Sequence, residues 1–130
     1  MSRPTLMAAV LAVIAVPLGG CGGDDVFRTD RPILRVTLDE YRIVPQHVVV
    51  TPGRMKFAVR NTGRLTHNLV LQTPDGPDGK PVEIARVGTM QPGGIGEPIK
   101  VDLQPGEYRL VCTIANHDDL GQYGTLEVKR

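Results

Sequence analysis

Aromatic residues are scarce in this 130-residue chain: it has no Trp, two Phe and three Tyr, about 4% in all. Any core it forms must therefore rest on Val, Leu and Ile. Charge of one sign is missing too, with 15 basic against 14 acidic residues and a formal net charge of +1. Only Arg3 among them precedes Cys21, so the chain beyond it is balanced and has no Lys/Arg cluster. That balance gives no basis for binding nucleic acid or an anionic lipid patch. Absent as well are a Ser/His/Asp set, paired carboxylates and a glycine loop that could cradle phosphate. Gly93-Gly94 with Gly96 follows Pro92 and reads as a turn. No apolar run is long enough to span a bilayer as a helix; the most continuous one covers residues 6–16.

That run belongs to an export signal. Arg3 supplies a short positive start, the apolar stretch follows, and Pro17 with small residues leads into Leu18-Gly19-Gly20-Cys21. These four residues resemble the bacterial lipobox, in which the Cys becomes the lipid-modified first residue of the mature protein. Residues 1–20 are therefore read as a lipoprotein signal peptide and Cys21 as the lipidation site. The alternative is ordinary cleavage near Gly20, leaving Cys21 as a free thiol. Acyl chains would hold the protein at a membrane surface without a spanning helix, outside the cytoplasm, in a periplasm or on the outer cell surface. Residues 21–32, rich in Gly, Asp and Arg, read as the anchor site and a flexible tether, and 33–130 as a single domain.

Cysteine is nearly absent, and that is informative. With Cys21 acylated, Cys112 has no disulfide partner in an oxidising compartment. An exported lone thiol is deeply buried, paired with another molecule, or bound to metal.

Beyond the tether no long helical pattern occurs. Apolar residues recur instead at period two, in short runs separated by Gly, Pro, Asn and Asp. The spacing predicts strands over 33–43, 47–51 (parted by Pro45), 55–60, 67–72, 82–87, 99–103, 108–112 and 123–129. Residues 89–96 read as loop, and so does the polar segment 113–122. Seven or eight short strands with turn signals at this spacing imply an all-β, antiparallel Greek-key sandwich. About a hundred residues suffice for a real though small core.

Residue types that bind soft or borderline metals fall at the ends of these runs. His67 opens a strand, Cys112 ends one, His117 lies in the loop after it, and Gln122 sits just before the last strand. Taken singly, His67 is an ordinary strand-start residue, Cys112 a small buried hydrophobe and His117 a solvated loop residue. In a sandwich, however, loops at one end of neighbouring strands cluster, so distant residues can converge. Two imidazoles and a thiolate with a weak axial ligand (Met, Gln or a backbone oxygen) make a blue-copper centre.

Two segments resemble the cupredoxins, the plastocyanin- and azurin-like proteins, and the resemblance runs from about Leu34 to Arg130. One is Asn61-Thr62-Gly63 followed by His67-Asn68. The other is Gly106-Glu107-Tyr108-Arg109-Leu110-Val111-Cys112, then His117, then Gly121-Gln122-Tyr123-Gly124-Thr125-Leu126-Glu127-Val128. The resemblance implies a cupredoxin-like fold holding one type 1 copper ion per chain through His67, Cys112, His117 and Gln122. Many relatives have Met where Gln122 stands. An amide oxygen is a harder ligand and favours Cu(II), so a lower reduction potential than in Met-ligated relatives is expected. Ala115-Asn116 stand where relatives often have Pro-Gly, which loosens the expected ligand loop. By the same resemblance Asn68 ties the ligand loops together, with Thr113 as partner.

The expected function is one-electron transfer outside the cytoplasm, not catalysis. His117, in an exposed loop, would be the electron exit, and Asp118-Asp119 would place negative charge where a redox partner docks. A copper-binding module for delivery or buffering is the alternative, with a copper-handling protein as partner. A monomer is expected. His47 reads as a surface strand residue, Met55 as core and Met90 as loop.

Overall fold

A computed structural model describes residues 25–130. The stretch 1–20 read as a signal peptide, and Cys21, lie outside the described residues. Among the described residues, ten strands form two sheets packed face to face. In chain order they are β1 (Val26–Thr29), β2 (Ile33–Asp39), β3 (Arg42–Val44), β4 (His47–Val50) and β5 (Gly53–Asn61), then β6 (His67–Thr73), β7 (Val82–Met90), β8 (Ile99–Leu103), β9 (Gly106–Val111) and β10 (Tyr123–Val128). The larger sheet has the order β1-β4-β10-β9-β6-β7 and the smaller β3-β2-β5-β8. No described residue is helical.

The period-two pattern becomes the sandwich directly. Along β5, Met55, Phe57, Val59 and Asn61 point inward while their neighbours face outward. Leu34, Val36 and Leu38 of β2 do the same one strand away. Phe57 is the largest wholly buried side chain, and around it the core is aliphatic: Leu69, Leu71, Leu103, Leu110 and Leu126 are each at most 1% exposed. Burying each of them contributes on the order of 2 kcal/mol.

Four features differ from the sequence reading. First, the sheets are mixed, because β1–β4, β4–β10 and β2–β5 pair in parallel. Strand direction leaves no mark on a hydrophobic pattern. Second, the 33–43 run is two strands, folded back at Glu40 and Tyr41 so that Asp39 pairs with Arg42. Tyr41 takes the left-handed conformation (φ 57°) that this turn needs, a place where Gly or Asn is usual. Third, Val26–Thr29 lies within the stretch read as tether, yet it pairs in register with His47–Val50. Its side chains are largely exposed, so main-chain hydrogen bonding rather than burial places it. Fourth, β7 extends through Thr89 to Met90, and Met90 is buried in the core rather than lying in a loop.

Candidate metal centre

The ladder pairings bring the four singled-out residues together. β9 is antiparallel to both neighbours, with Val111 opposite Val70 of β6 and Tyr123 of β10. The end of β9 therefore lies beside the starts of β6 and β10. Cys112 follows β9, His67 opens β6, Gln122 immediately precedes β10, and His117 sits in the loop between. One end of one sheet thus carries every candidate ligand.

Backbone bonds hold the loop of residues 112–122 closed. Cys112 N–H donates to Gln122 O (3.1 Å), Gln122 N–H to His117 O (2.9 Å) and His117 N–H to Ile114 O (3.2 Å). Ala115 adopts a left-handed φ of 49° within it. The loop is compact despite lacking the Pro-Gly of the family pattern.

His67, Cys112 and His117 present ligand atoms that all lie within 4.8 Å of one another. Both histidines turn Nδ1 toward the sulfur, at 4.0 Å for His67 and 3.7 Å for His117. A trigonal centre with metal–nitrogen and metal–sulfur bonds of about 2.1 and 2.3 Å, lengths typical of zinc, needs about 3.8 Å between nitrogen and sulfur. Each nitrogen therefore already stands from the sulfur at about the separation that an ion bound by both would require.

Gln122 is oriented in a way its sequence position alone does not reveal. Its side chain is wholly buried. Nε2 donates to the carbonyls of Asp39 (2.7 Å) and Arg42 (3.3 Å). Carbonyls only accept, so the amide can be oriented one way only. Oε1 is left buried without a hydrogen-bond partner, an arrangement that costs free energy unless something else binds that oxygen. Among the described residues, His67 Nε2 is the other buried side-chain nitrogen or oxygen without a partner. The nearby Glu40 Oε1 stands 3.7 Å from it, beyond hydrogen-bond length.

Burial pushes the His67 imidazole below its ordinary pKa, and neighbouring His117 pushes the same way, against upward pulls from Glu40 and Gln122. The ring is thereby held neutral near pH 7, the form whose lone pair binds metal.

Supporting contacts surround these groups. Thr113 N–H donates to Asn68 Oδ1 (2.8 Å), and Asn68 Nδ2 donates to Thr113 Oγ1 (3.0 Å). Arg86, ion-paired to Glu83, also reaches Thr113 Oγ1 at 3.2 Å. Buried Asn61 bonds Leu65 O, Met90 O and Gly63 N–H, fixing the bend that leads into His67. His117 departs from expectation: its loop is exposed, but the residue is only 8% exposed, with the Tyr41 ring edge-on 5.4 Å away. His47 bonds Thr125 Oγ1 at the far side of β10 and takes no part in the cluster. Sequence reasoning missed Asp39, Glu40, Tyr41, Arg42 and Arg86. None of them lies in a motif, and four belong to a turn of the opposite sheet.

No family model matches the chain. No curated protein matches it either. Solved structures do. Auracyanin from Roseiflexus castenholzii aligns with a TM-score of 0.67 at 22% identity, over 78% of this chain and all of that one. Auracyanin A from Chloroflexus aurantiacus, a "blue" copper protein, aligns at 0.59 and 17%, over 75% and 99%. Rusticyanin from Thiobacillus ferrooxidans gives 0.60 and 19%, over 85% and 86%. A multicopper oxidase shares the fold too, with this chain spanning 48% of it. The fold common to these proteins is the cupredoxin fold, and this chain has it.

Proposed function

We propose that this cupredoxin-fold chain is a mononuclear type 1 copper protein that passes single electrons outside the cytoplasm. His67 Nδ1, Cys112 Sγ and His117 Nδ1 would hold the ion, with Gln122 Oε1 as axial ligand. One observation carries the reading: two imidazole nitrogens already stand 3.7 and 4.0 Å from a buried thiol, beside an amide oxygen that has no other partner. A trigonal His2Cys set with a weak axial oxygen is the donor chemistry of blue copper. The "blue" copper protein among the structural relatives supports the same assignment.

Copper bound there would supply the one-electron couple. The chain's part is to keep its donors still through that change. Cys112 and Gln122 are tied by a backbone bond, Gln122 is clamped by two carbonyls, and Asn68 is locked to Thr113. His67, Cys112 and Gln122 are fully buried and His117 is only 8% exposed, so water is largely kept from the donors. Burial this complete favours retention of the ion over ready surrender, and so favours electron transfer over copper delivery.

No substrate is transformed in this reading, so the protein is not an enzyme; its partner is another redox protein. Lipid attachment at Cys21 would keep it at a membrane, and it would act as a monomer. The test is a visible absorption and EPR spectrum of the domain begun after Cys21, with one equivalent of Cu(II). An intense blue or green thiolate-to-copper band with small parallel hyperfine splitting is expected. A colourless copper complex that stays colourless with added oxidant would move the assignment to delivery or buffering, and failure to bind copper would end it.

A further inference from the structure

The β2–β3 turn reaches across from the smaller sheet and touches three of the four ligand residues. The carbonyls of Asp39 and Arg42 hold the Gln122 amide. The Tyr41 ring stands edge-on to His117. Glu40 sends its carboxylate to His67, with Oε1 3.7 Å from the buried Nε2. That carboxylate is itself fixed, because Oε1 accepts the backbone N–H groups of Arg64 and Leu65. The approach also depends on Gly63. A Cβ there would collide with Glu40 Oε1 and come within 3.2 Å of His67 Nε2.

We propose that Glu40 is a positioning residue for the metal centre, a carboxylate that orients the His67 ring and biases the site toward its divalent state. This rests on the copper reading above, with Nδ1 of His67 as ligand. With Nδ1 committed to the ion, the ring proton must sit on Nε2, a buried donor with no hydrogen-bond partner. Glu40 is the anionic group that faces it. A carboxylate behind a metal-bound imidazole fixes its tautomer and raises its basicity. Charge balance points the same way. Cu(II) with one thiolate leaves a net positive charge in a buried site, which Glu40 offsets. Cu(I) with one thiolate is already neutral, so the same carboxylate adds an uncompensated charge. Glu40 is one-third exposed on its side chain, so solvent screening tempers the effect without removing it.

Glu40→Gln tests this, since the amide oxygen can still accept from Arg64 and Leu65 while the charge is gone. Two readouts on the purified protein are needed: the copper reduction potential, and the affinity for Zn(II), which requires no redox step. Glu40→Gln should weaken Zn(II) binding about tenfold. It should also shift the Cu(II)/Cu(I) ratio at fixed potential about tenfold toward Cu(I), a rise of about 59 mV for one electron. Gly63→Ala, which displaces the carboxylate without removing it, should move both readouts in the same direction by less. A Glu40→Gln protein that melts lower but keeps the wild-type potential and Zn(II) affinity would show that Glu40 only caps a turn, and would overturn the proposal. Wild-type protein that binds Zn(II) in a Glu40-dependent way but gives no blue copper band would instead overturn the copper reading, and with it the redox bias, while leaving Glu40 as the residue that positions His67 for a divalent ion.

Discussion

Replacing Gln122 by Met separates two jobs that the native side chain performs together. The amide donates to the carbonyls of Asp39 at 2.7 Å and Arg42 at 3.3 Å, and a thioether cannot. Each buried hydrogen bond contributes about 1 kcal/mol net, and the longer one less. The apoprotein should therefore lose roughly 1–2 kcal/mol, or roughly 5–15 °C in Tm for a domain of about a hundred residues. The second job belongs to Oε1, which has no partner among the described residues. If it ligates copper, exchanging a hard oxygen for a soft sulfur must favour Cu(I). Each tenfold change in relative affinity is about 59 mV for one electron, and a rise of at least that size is expected. Differential scanning calorimetry of the apoprotein and redox titration of the blue band read the two effects independently. A lower Tm with an unchanged or lowered potential would refute axial ligation and reduce Gln122 to a tie between the sheets.

Cys112→Ser should abolish the intense visible band and leave at most a weakly bound, nearly colourless Cu(II), as absorption and copper titration will show. Asn68→Ala removes both bonds to Thr113 and should cost roughly 2 kcal/mol by urea unfolding; an unchanged potential and copper affinity would rule out its role in fixing the ligand loops. The depressed pKa of His67 makes the folded apoprotein bind its proton later than the unfolded chain does. Stability should therefore hold above the ordinary His pKa of about 6.5 and fall as pH drops below it. Urea midpoints at pH 7.5 and 5.5 measure this, with His67→Gln expected to flatten the slope. A wild-type midpoint that is equal or higher at pH 5.5 would contradict it.

The sequence made the candidate donors legible because three of the four sit at strand ends and His117 lies in the loop between two of them. His67 follows the Asn61-Thr62-Gly63 turn, while Cys112 and Gln122 flank a loop between two well-patterned strands. The adjacency of β6, β9 and β10 then does the rest. The β2–β3 turn was illegible for the opposite reason. Leu38-Asp39-Glu40-Tyr41-Arg42-Ile43 contains no Gly, Pro or Asn, so the run reads as one strand, and its left-handed position falls on Tyr41. β1 was hidden because an exposed edge strand held by main-chain pairing carries no alternating apolar signal. The burial of His117 was hidden too, since its loop is polar and the ring that covers it comes from that same unseen turn.

These omissions share one physical origin. The donors lie on the larger sheet, while the groups that orient Gln122 and face His67 and His117 come from a turn of the smaller one. Sequence motifs record what neighbouring residues must do for each other. They are silent about a backbone carbonyl that happens to arrive from 80 or 83 residues away. The Gln122 amide makes the consequence concrete. Its oxygen is left without a partner among the described residues while its nitrogen is engaged by carbonyls of the opposite sheet, so the packing of the sandwich sets how the amide is aimed. A change in how the sheets pack would therefore reach the centre through Gln122 even with His67, Cys112 and His117 untouched. Gln122 is where the stability of the fold and the orientation of a candidate ligand are coupled.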